Sequence, residues 1–264
     1  MTSSTLILRL AAPMQAWGDQ RAVLHTRHTS PHPTKSGVIG MLAAAYGHRP
    51  EDPLDALAEL KFGVRCDVPG TLLEDYQVAS DYRGGPLPSS DFRGSGRQKP
   101  STRVLQPGRR YYLQDAAFLA AVQGPTDLVE DLAAAVRAPA CLIGLGRRSC
   151  PPTMPILLDT TPTPLVEVLT THPWIASDQA RTVWQRHHRG AAPASVEVAA
   201  YIDDHAGSLE FMDQPVSYHP VRRQHAARRV AHRLISVPTG FTPDPDQPDD
   251  LADQGHDPLA LLGW

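Results

Sequence analysis

Pro33-Thr34-Lys35-Ser36-Gly37-Val38-Ile39-Gly40-Met41-Leu42-Ala43-Ala44-Ala45-Tyr46-Gly47 is the stretch on which the reading of this chain turns. Pro33 cannot continue a helix from upstream. Thr34 suits the N-cap, where its hydroxyl accepts an otherwise orphaned backbone N–H. Val38, Ile39, Leu42 and Ala45 form one apolar stripe. Gly37, Gly40, Ala43 and Ala44 are small enough for close packing on a sheet, and Gly47 is the expected stop. The spacing predicts a helix over about residues 35–46. Lys35 and Ser36 fall in its first turn, beside free N–H groups and the positive end of the helix dipole, a place that suits a phosphate. The same residues also fit a capped helix with no ligand. The segment is not a P-loop, because that motif has glycine directly before its lysine and here Pro33-Thr34 precede Lys35.

Working outward, Thr5 to Ala11 reads as a first, largely buried strand, ended by Pro13. Met14 to Pro33 is a long loop with Trp17, Arg21, Arg27 and three histidines, and loops of that length are often functional. Downstream, residues 52–60 read as a helix, 62–68 and 71–82 as strands around the Pro69-Gly70 turn, and 111–122 as a returning strand. Residues 126–136 form an amphipathic helix pattern. Residues 141–146 read as a strand closing on a glycine-rich turn before Arg147-Arg148. The order β-α-β, long hairpin, β-α-β is that of a split βαβ unit, so the expected class is α+β with a ferredoxin-like (RRM-like) domain.

Residues 83–108 interrupt the pattern with Gly, Pro, Ser and basic residues and almost no core signal. They fit either a disordered loop or a protruding hairpin thumb. Arms of a dozen residues would extend about 35–40 Å at roughly 3.3 Å per residue. The second half is less periodic, with a short helix at about 164–171 and strands at 195–201 and 230–237. The expected organisation is a domain over 1–150 with the thumb at about 80–107, a small β-rich subdomain over 151–241, and an acidic, Pro-rich tail over 242–264.

With 264 residues the chain can bury a sizeable core. It has no run of about 18 apolar residues and no basic-then-apolar start, so neither a membrane span nor a secretory signal is expected. Three cysteines without metal-ligand spacing read as reduced thiols of a cytoplasmic protein. The net charge of −3 hides an asymmetry: six aspartates lie beyond residue 243, with no Lys or Arg after Arg233. Residues 80–112 hold Arg83, Arg93, Arg97, Lys99, Arg103, Arg109 and Arg110 against two aspartates. Residues 217–237 hold five arginines and no acid. Such local density suits either a polyanion or a solvated face.

No HExxH, Gly-x-Ser-x-Gly or Cys/His metal spacing is present. Carboxylates do not cluster in the basic segments, which argues against a metal-dependent nuclease. His25, His28 and His32 near Lys35, and the His187-His188 pair, would suit a metal-independent ribonuclease. No ribonucleoprotein run of stacking aromatics is found, so RNA contact would rely on phosphates, helix N-termini and arginine. Gly144-x-Gly146-Arg147-Arg148 suits that purpose through close backbone approach and fork-shaped arginine contacts.

Leu8 to Gly18, with Pro13-Met14-Gln15-Ala16-Trp17-Gly18 at its end, followed by the Pro33–Ala45 stretch, resembles the opening of the CasD family. These are RAMP-superfamily subunits of type I-E CRISPR Cascade complexes. Arg109 to Phe118, Gly144 to Pro152, Pro215-Val216-Ser217 and Arg228-Arg229 are similar too, so the resemblance runs from about residue 5 to 237. It implies a non-catalytic antiviral-defence subunit that caps the 5′ handle of the CRISPR RNA and contacts the CasC backbone subunit and the CasA large subunit. Target DNA would be met only through the complex. It implies no cofactor, metal or membrane. A branch of the wider family processes precursor RNA, so a metal-independent endoribonuclease is the alternative. The candidate RNA-binding residues are Trp17, Arg27, Lys35, Ser36, Arg83, Arg97, Lys99, Arg103, Arg109, Arg110, Arg147 and Arg148. The acidic tail departs from the family pattern.

Overall fold

The computed structural model describes residues 2–18, 26–80, 105–187 and 193–241. Helix α1 spans Lys35–Tyr46, as the sequence predicts. The Thr34 hydroxyl accepts the Gly37 N–H at 3.2 Å, and Gly47, with φ of 96°, closes the helix by donating to the Ala43 and Ala44 carbonyls. Its small residues serve side chains rather than the sheet directly. A Cβ on Gly37 would sit 2.9 Å from the Trp17 ring, and Gly40 lies under the ring of Tyr218.

The main sheet has seven strands: β1 (Ser3–Ala11), β6 (Lys61–Val68), β9 (Ala117–Pro125), β10 (Leu157–Thr161), β11 (Ser195–Asp203), β12 (Leu209–Ser217) and β13 (Gln224–Pro238). They lie in the order β10-β1-β9-β6-β11-β13-β12, and every neighbouring pair is antiparallel. β1, β6, β9 and β10, with α1 and α3 (Thr126–Arg137) between them, supply the β-α-β-β-α-β run. The strands of the C-terminal half extend this same sheet, because Ala199 to Ile202 of β11 pair with Cys66 to Gly63 of β6.

Alternation along each strand gives the sheet two buried faces. Leu6, Leu8, Leu10, Phe62, Val64, Phe118, Ala120 and Val122 face α1 and α3. Ile7, Leu119, Ala121, Val198, Ala200 and Ile202 face α4 (Leu165–Thr171) and Trp174. On that second face Arg65 is completely buried. Its five N–H groups are all used, two on the Asp67 carboxylate at 2.7 Å and the rest on the carbonyls of Leu169, His172 and Pro173. Arg65 thereby satisfies the orphaned carbonyls at the end of α4.

Two expectations are corrected. Residues 141–146 form no strand: Leu142 is 99% exposed, and the strand on the outer side of β1 is β10, later in the chain. The apolar run Cys141-Leu142-Ile143 is too short for periodicity to separate strand from loop. Residues 111–122 are not one strand either. β8 (Leu105–Gln114) ends where Asp115 turns left-handed (φ 54°), and β9 then begins in the main sheet. β7 (Thr71–Ser80) pairs with β8 in register from Thr71↔Gln114 to Ser80↔Leu105, forming a two-stranded ribbon that leaves the main sheet. Gly70 (φ 71°) permits this departure, since a Cβ there would lie 2.4 Å from the Gln114 carbonyl oxygen. The rest of the expected thumb, residues 81–104 with Arg83, Arg97, Lys99 and Arg103, lies outside the described residues.

Candidate nucleic-acid interface

Several of the exposed arginines gather around β8. Two short segments flank it opposite β7: β2 (Met14–Gln15) pairs antiparallel with Gln114 and Leu113, and β4 (Thr26–Arg27) runs parallel, with Thr26 beside Arg109 and Arg27 beside Arg110. Arg27, Arg109 and Arg110 are all exposed. The Gly144–Cys150 loop closes over the same place. Ala16 donates its N–H to the Leu145 carbonyl at 3.1 Å, and Gly146 (φ 82°) presses on Ala16 so tightly that a Cβ would fall 1.7 Å from its carbonyl oxygen. Only glycine permits that approach.

This contact aims the next two residues. Arg147 is half-buried, with its guanidinium 4.7 Å from the Tyr112 ring centre and Nη2 donating to the Arg27 carbonyl at 3.1 Å. Its Nη1 is buried and has no hydrogen-bond partner among the described residues. Arg148 is exposed. On the other face of β8, Tyr111 stacks on His28 with ring centres 4.9 Å apart and donates its hydroxyl to Glu74 at 2.8 Å. That hydrogen bond pushes the Tyr111 phenol above its ordinary pKa. Arg109 lies 3.4 Å from Glu74, both well exposed. Among the described residues Arg27, Arg110 and Arg148 pair with no carboxylate. The result is an arginine rim with aromatic rings on both faces of its central strand. The sequence reading named the arginines but missed the rings. The adjacent Tyr111-Tyr112 was the available signal, because neighbours in a strand point to opposite faces.

Three candidates at the start of α1 lie elsewhere. Trp17 is fully buried, its indole N–H donating to Gln15 Oε1 at 3.1 Å, while Gln15 Nε2 donates to the Leu10 and Ala116 carbonyls. It is a core plug between strand ends and α1, not a surface for a base. Lys35 is 5% exposed. Its backbone N–H donates to Asp213 Oδ2 at 2.7 Å and its ammonium to Asp203 Oδ2 at 2.9 Å. Arg228 joins the same two carboxylates, at 2.6 and 3.0 Å to Asp213 and through Nη1 to Asp203. The helix N-terminus that suits an anion therefore already holds one, supplied by β12. Ser36 is half-buried, and its carbonyl accepts the Tyr218 hydroxyl at 2.5 Å. Lys35, Ser36 and Trp17 are thus packing residues, and the phosphate expectation at this helix start is corrected.

Of the three thiols Cys141 is exposed, while Cys66 and Cys150 are shielded. Burial pushes the Cys66 thiol up to about 12 and raises that of Cys150. His32 is buried between Tyr201 and Phe211, with ring centres 4.2 and 5.3 Å away, and burial lowers its pKa. No group of three or more His, Cys, Asp or Glu side chains among the described residues is placed to hold a metal ion. No helix among them is long and apolar enough to cross a membrane.

Fold and rim together define an α+β protein with an arginine-rich edge. The chain belongs to the Cas5 family of CRISPR-associated proteins: residues 5–231 match the family model described as "CRISPR-associated protein (Cas_Cas5)". The chain is 41% identical over 167 residues to the "CRISPR system Cascade subunit CasD" of Escherichia coli (strain K12), a match covering 60% of this chain and 71% of that one. Among solved structures it is similar to a chain of a "CRISPR RNA-guided surveillance complex", with TM-score 0.66 and 31% identity over 89% of this chain and 91% of that chain. It is also similar to a "Crystal structure of Cas protein", with TM-score 0.64 and 32% identity over 89% and 98% of the two chains.

Proposed function

We propose that this protein is an RNA-binding, non-catalytic subunit of a type I-E Cascade complex that caps the 5′ handle of the CRISPR RNA. The CasC backbone and CasA large subunits are its protein partners. The observation that carries this reading is the rim: Arg27, Arg109, Arg110, Arg147 and Arg148 converge from three separate segments on one strand, and of these only Arg109 has a carboxylate partner among the described residues. Guanidinium forks suit phosphate, and the ring faces of Tyr111 and His28 suit an unpaired base. Membership of the Cas5 family and likeness to CRISPR-complex proteins supply the CRISPR context.

The test is a salt titration of binding to handle-sequence RNA. Five arginine–phosphate contacts predict a log–log slope of about −3.5, at roughly 0.7 per phosphate for a single strand. Arg109→Ala/Arg110→Ala/Arg148→Ala should flatten it to about −1.4. A slope near zero in the unsubstituted chain would overturn the reading.

One observation favours a second reading. His28 lies on Tyr111 beside Arg109 and Arg147, residue types that a metal-independent endoribonuclease uses for proton transfer and charge stabilisation. Sequence-specific cleavage of repeat RNA in EDTA, lost in His28→Ala, would establish that activity in place of the non-catalytic one.

A further inference from the structure

Residues 242–264 lie outside the described residues and beyond the family match. Asp244, Asp246, Asp249, Asp250, Asp253 and Asp257 make this the most acidic part of the chain, and it contains no Lys or Arg. The structure fixes where the segment departs. The Phe241 ring stands edge-on to Trp174 at 6.1 Å, and the Arg181 guanidinium lies 5.5 Å from both rings. Arg181 also donates to the carbonyls of Thr239 and Trp174, and Trp174 donates its N–H to the Pro238 carbonyl.

Strand register places this exit at the rim's end of the sheet. Pro238 lies across from Ser195, where β11 starts. Further along β11, Ala199 faces Cys66 near the end of β6, and Val68 pairs with Ala117, where β9 leaves the ribbon. From β9 to β13 is three strand spacings, about 15 Å. Asp257 is sixteen residues beyond Phe241, a reach of up to about 55 Å. Elsewhere the exposed Arg222 and Arg223 lie in the β12–β13 connection at the opposite end of β13, while on β13 itself the exposed Arg229 lies across from Glu210 and Arg233 is 3.8 Å from Asp204.

We propose that the acidic segment 244–257 docks on the arginine rim of its own chain and is displaced when RNA binds there, which rests on the reading of the rim as an RNA site. The rim concentrates positive charge that few carboxylates among the described residues offset. A tethered segment carrying six negative charges meets it at an effective concentration in the millimolar range. Docking would suppress adventitious binding to other polyanions, and salt would weaken it by screening.

The test uses full-length chains and a fluorescein-labelled peptide of residues 242–257. One variant carries Asp→Asn at all six aspartates; a second adds Arg109→Ala, Arg110→Ala and Arg148→Ala. At about 50 mM salt the peptide should bind the six-Asn chain. It should bind the unsubstituted chain, whose own segment competes, about tenfold more weakly. Binding should vanish without the rim arginines. Single-stranded RNA should likewise bind the six-Asn chain about tenfold tighter than the unsubstituted one, with the difference closing near 0.5 M salt. Absent peptide binding, equal binding to both chains, or binding that survives loss of the rim arginines would overturn the docking. Peptide binding without RNA binding by any chain would support the docking and sink the RNA reading instead.

Discussion

Lys35→Met separates the two roles that a lysine in the first turn of α1 can play. In the structure its ammonium is 2.9 Å from Asp203, with side-chain exposures of 6% and 15%. Removing it leaves one net negative charge in a cluster that otherwise balances Lys35 and Arg228 against Asp203 and Asp213. Breaking a buried ion pair costs about 3–5 kcal/mol. Asp203 keeps the Phe62 N–H and Arg228 as donors and retains some solvent contact, so about 2–3 kcal/mol is expected here. For a chain of this size that lowers the melting temperature by roughly 5–10 °C. Affinity for handle RNA, measured by anisotropy well below the melting point, should stay within about twofold. Arg148→Ala should do the reverse, because Arg148 is exposed and has no carboxylate partner among the described residues: unchanged melting and about tenfold weaker binding at low salt. If Lys35→Met kept the melting temperature and lost RNA, the helix start would be a phosphate site and the internal-anion argument would be refuted.

Three further outcomes follow from the same geometry. Arg65→Lys should destabilise by about 3 kcal/mol or more in urea unfolding, since an ammonium cannot span Asp67 and three carbonyls at once; a loss below about 1 kcal/mol would contradict its role in holding α4. Gly146→Ala should swing the Arg147-Arg148 loop away from Ala16 and weaken RNA binding, detectable as faster proteolysis of the loop together with a flatter salt slope. For pH, burial holds the His32 pKa below 6.5, so the unfolded chain takes up a proton that the folded chain resists. Stability should therefore be level above about pH 6.5 and fall below it, by up to about 1.4 kcal/mol per pH unit for this residue. Burial lowers the His225 pKa as well, adding to the same slope, and His32→Leu should flatten the acid limb without abolishing it.

Much of the architecture was legible because it is local. Thr34 and Gly47 bracket α1, and Leu128, Val129, Leu132 and Val136 give α3 its apolar face. Strand β1 carries the apolar run Leu6-Ile7-Leu8, and β6 places Phe62 and Val64 in the core, so both are rich enough in apolar residues to read as strands. The elements that escaped are those whose pattern is not local. β10 is a five-residue edge strand, Leu157-Leu158-Asp159-Thr160-Thr161, mostly threonine and aspartate, and it exists because β1 offers it a ladder. The break at Asp115 is set by Gly70, far away in sequence and next to it in space. The rim was half legible: clustered arginines show in composition, but their convergence on β8 depends on pairings across the fold.

The sequence alone settles the family motifs, the capped helix and the separation of basic body from acidic tail, since each depends on residues close together in the chain. Only the tertiary structure decides which positive charges are available. Lys35 meets Asp203 and Asp213 from 168 and 178 positions away, and no reading of its neighbours anticipates that neutralisation. Arg27, Arg110 and Arg148 find no such partner among the described residues. A charge's role is fixed by the solvent and countercharge around it, and folding supplies both.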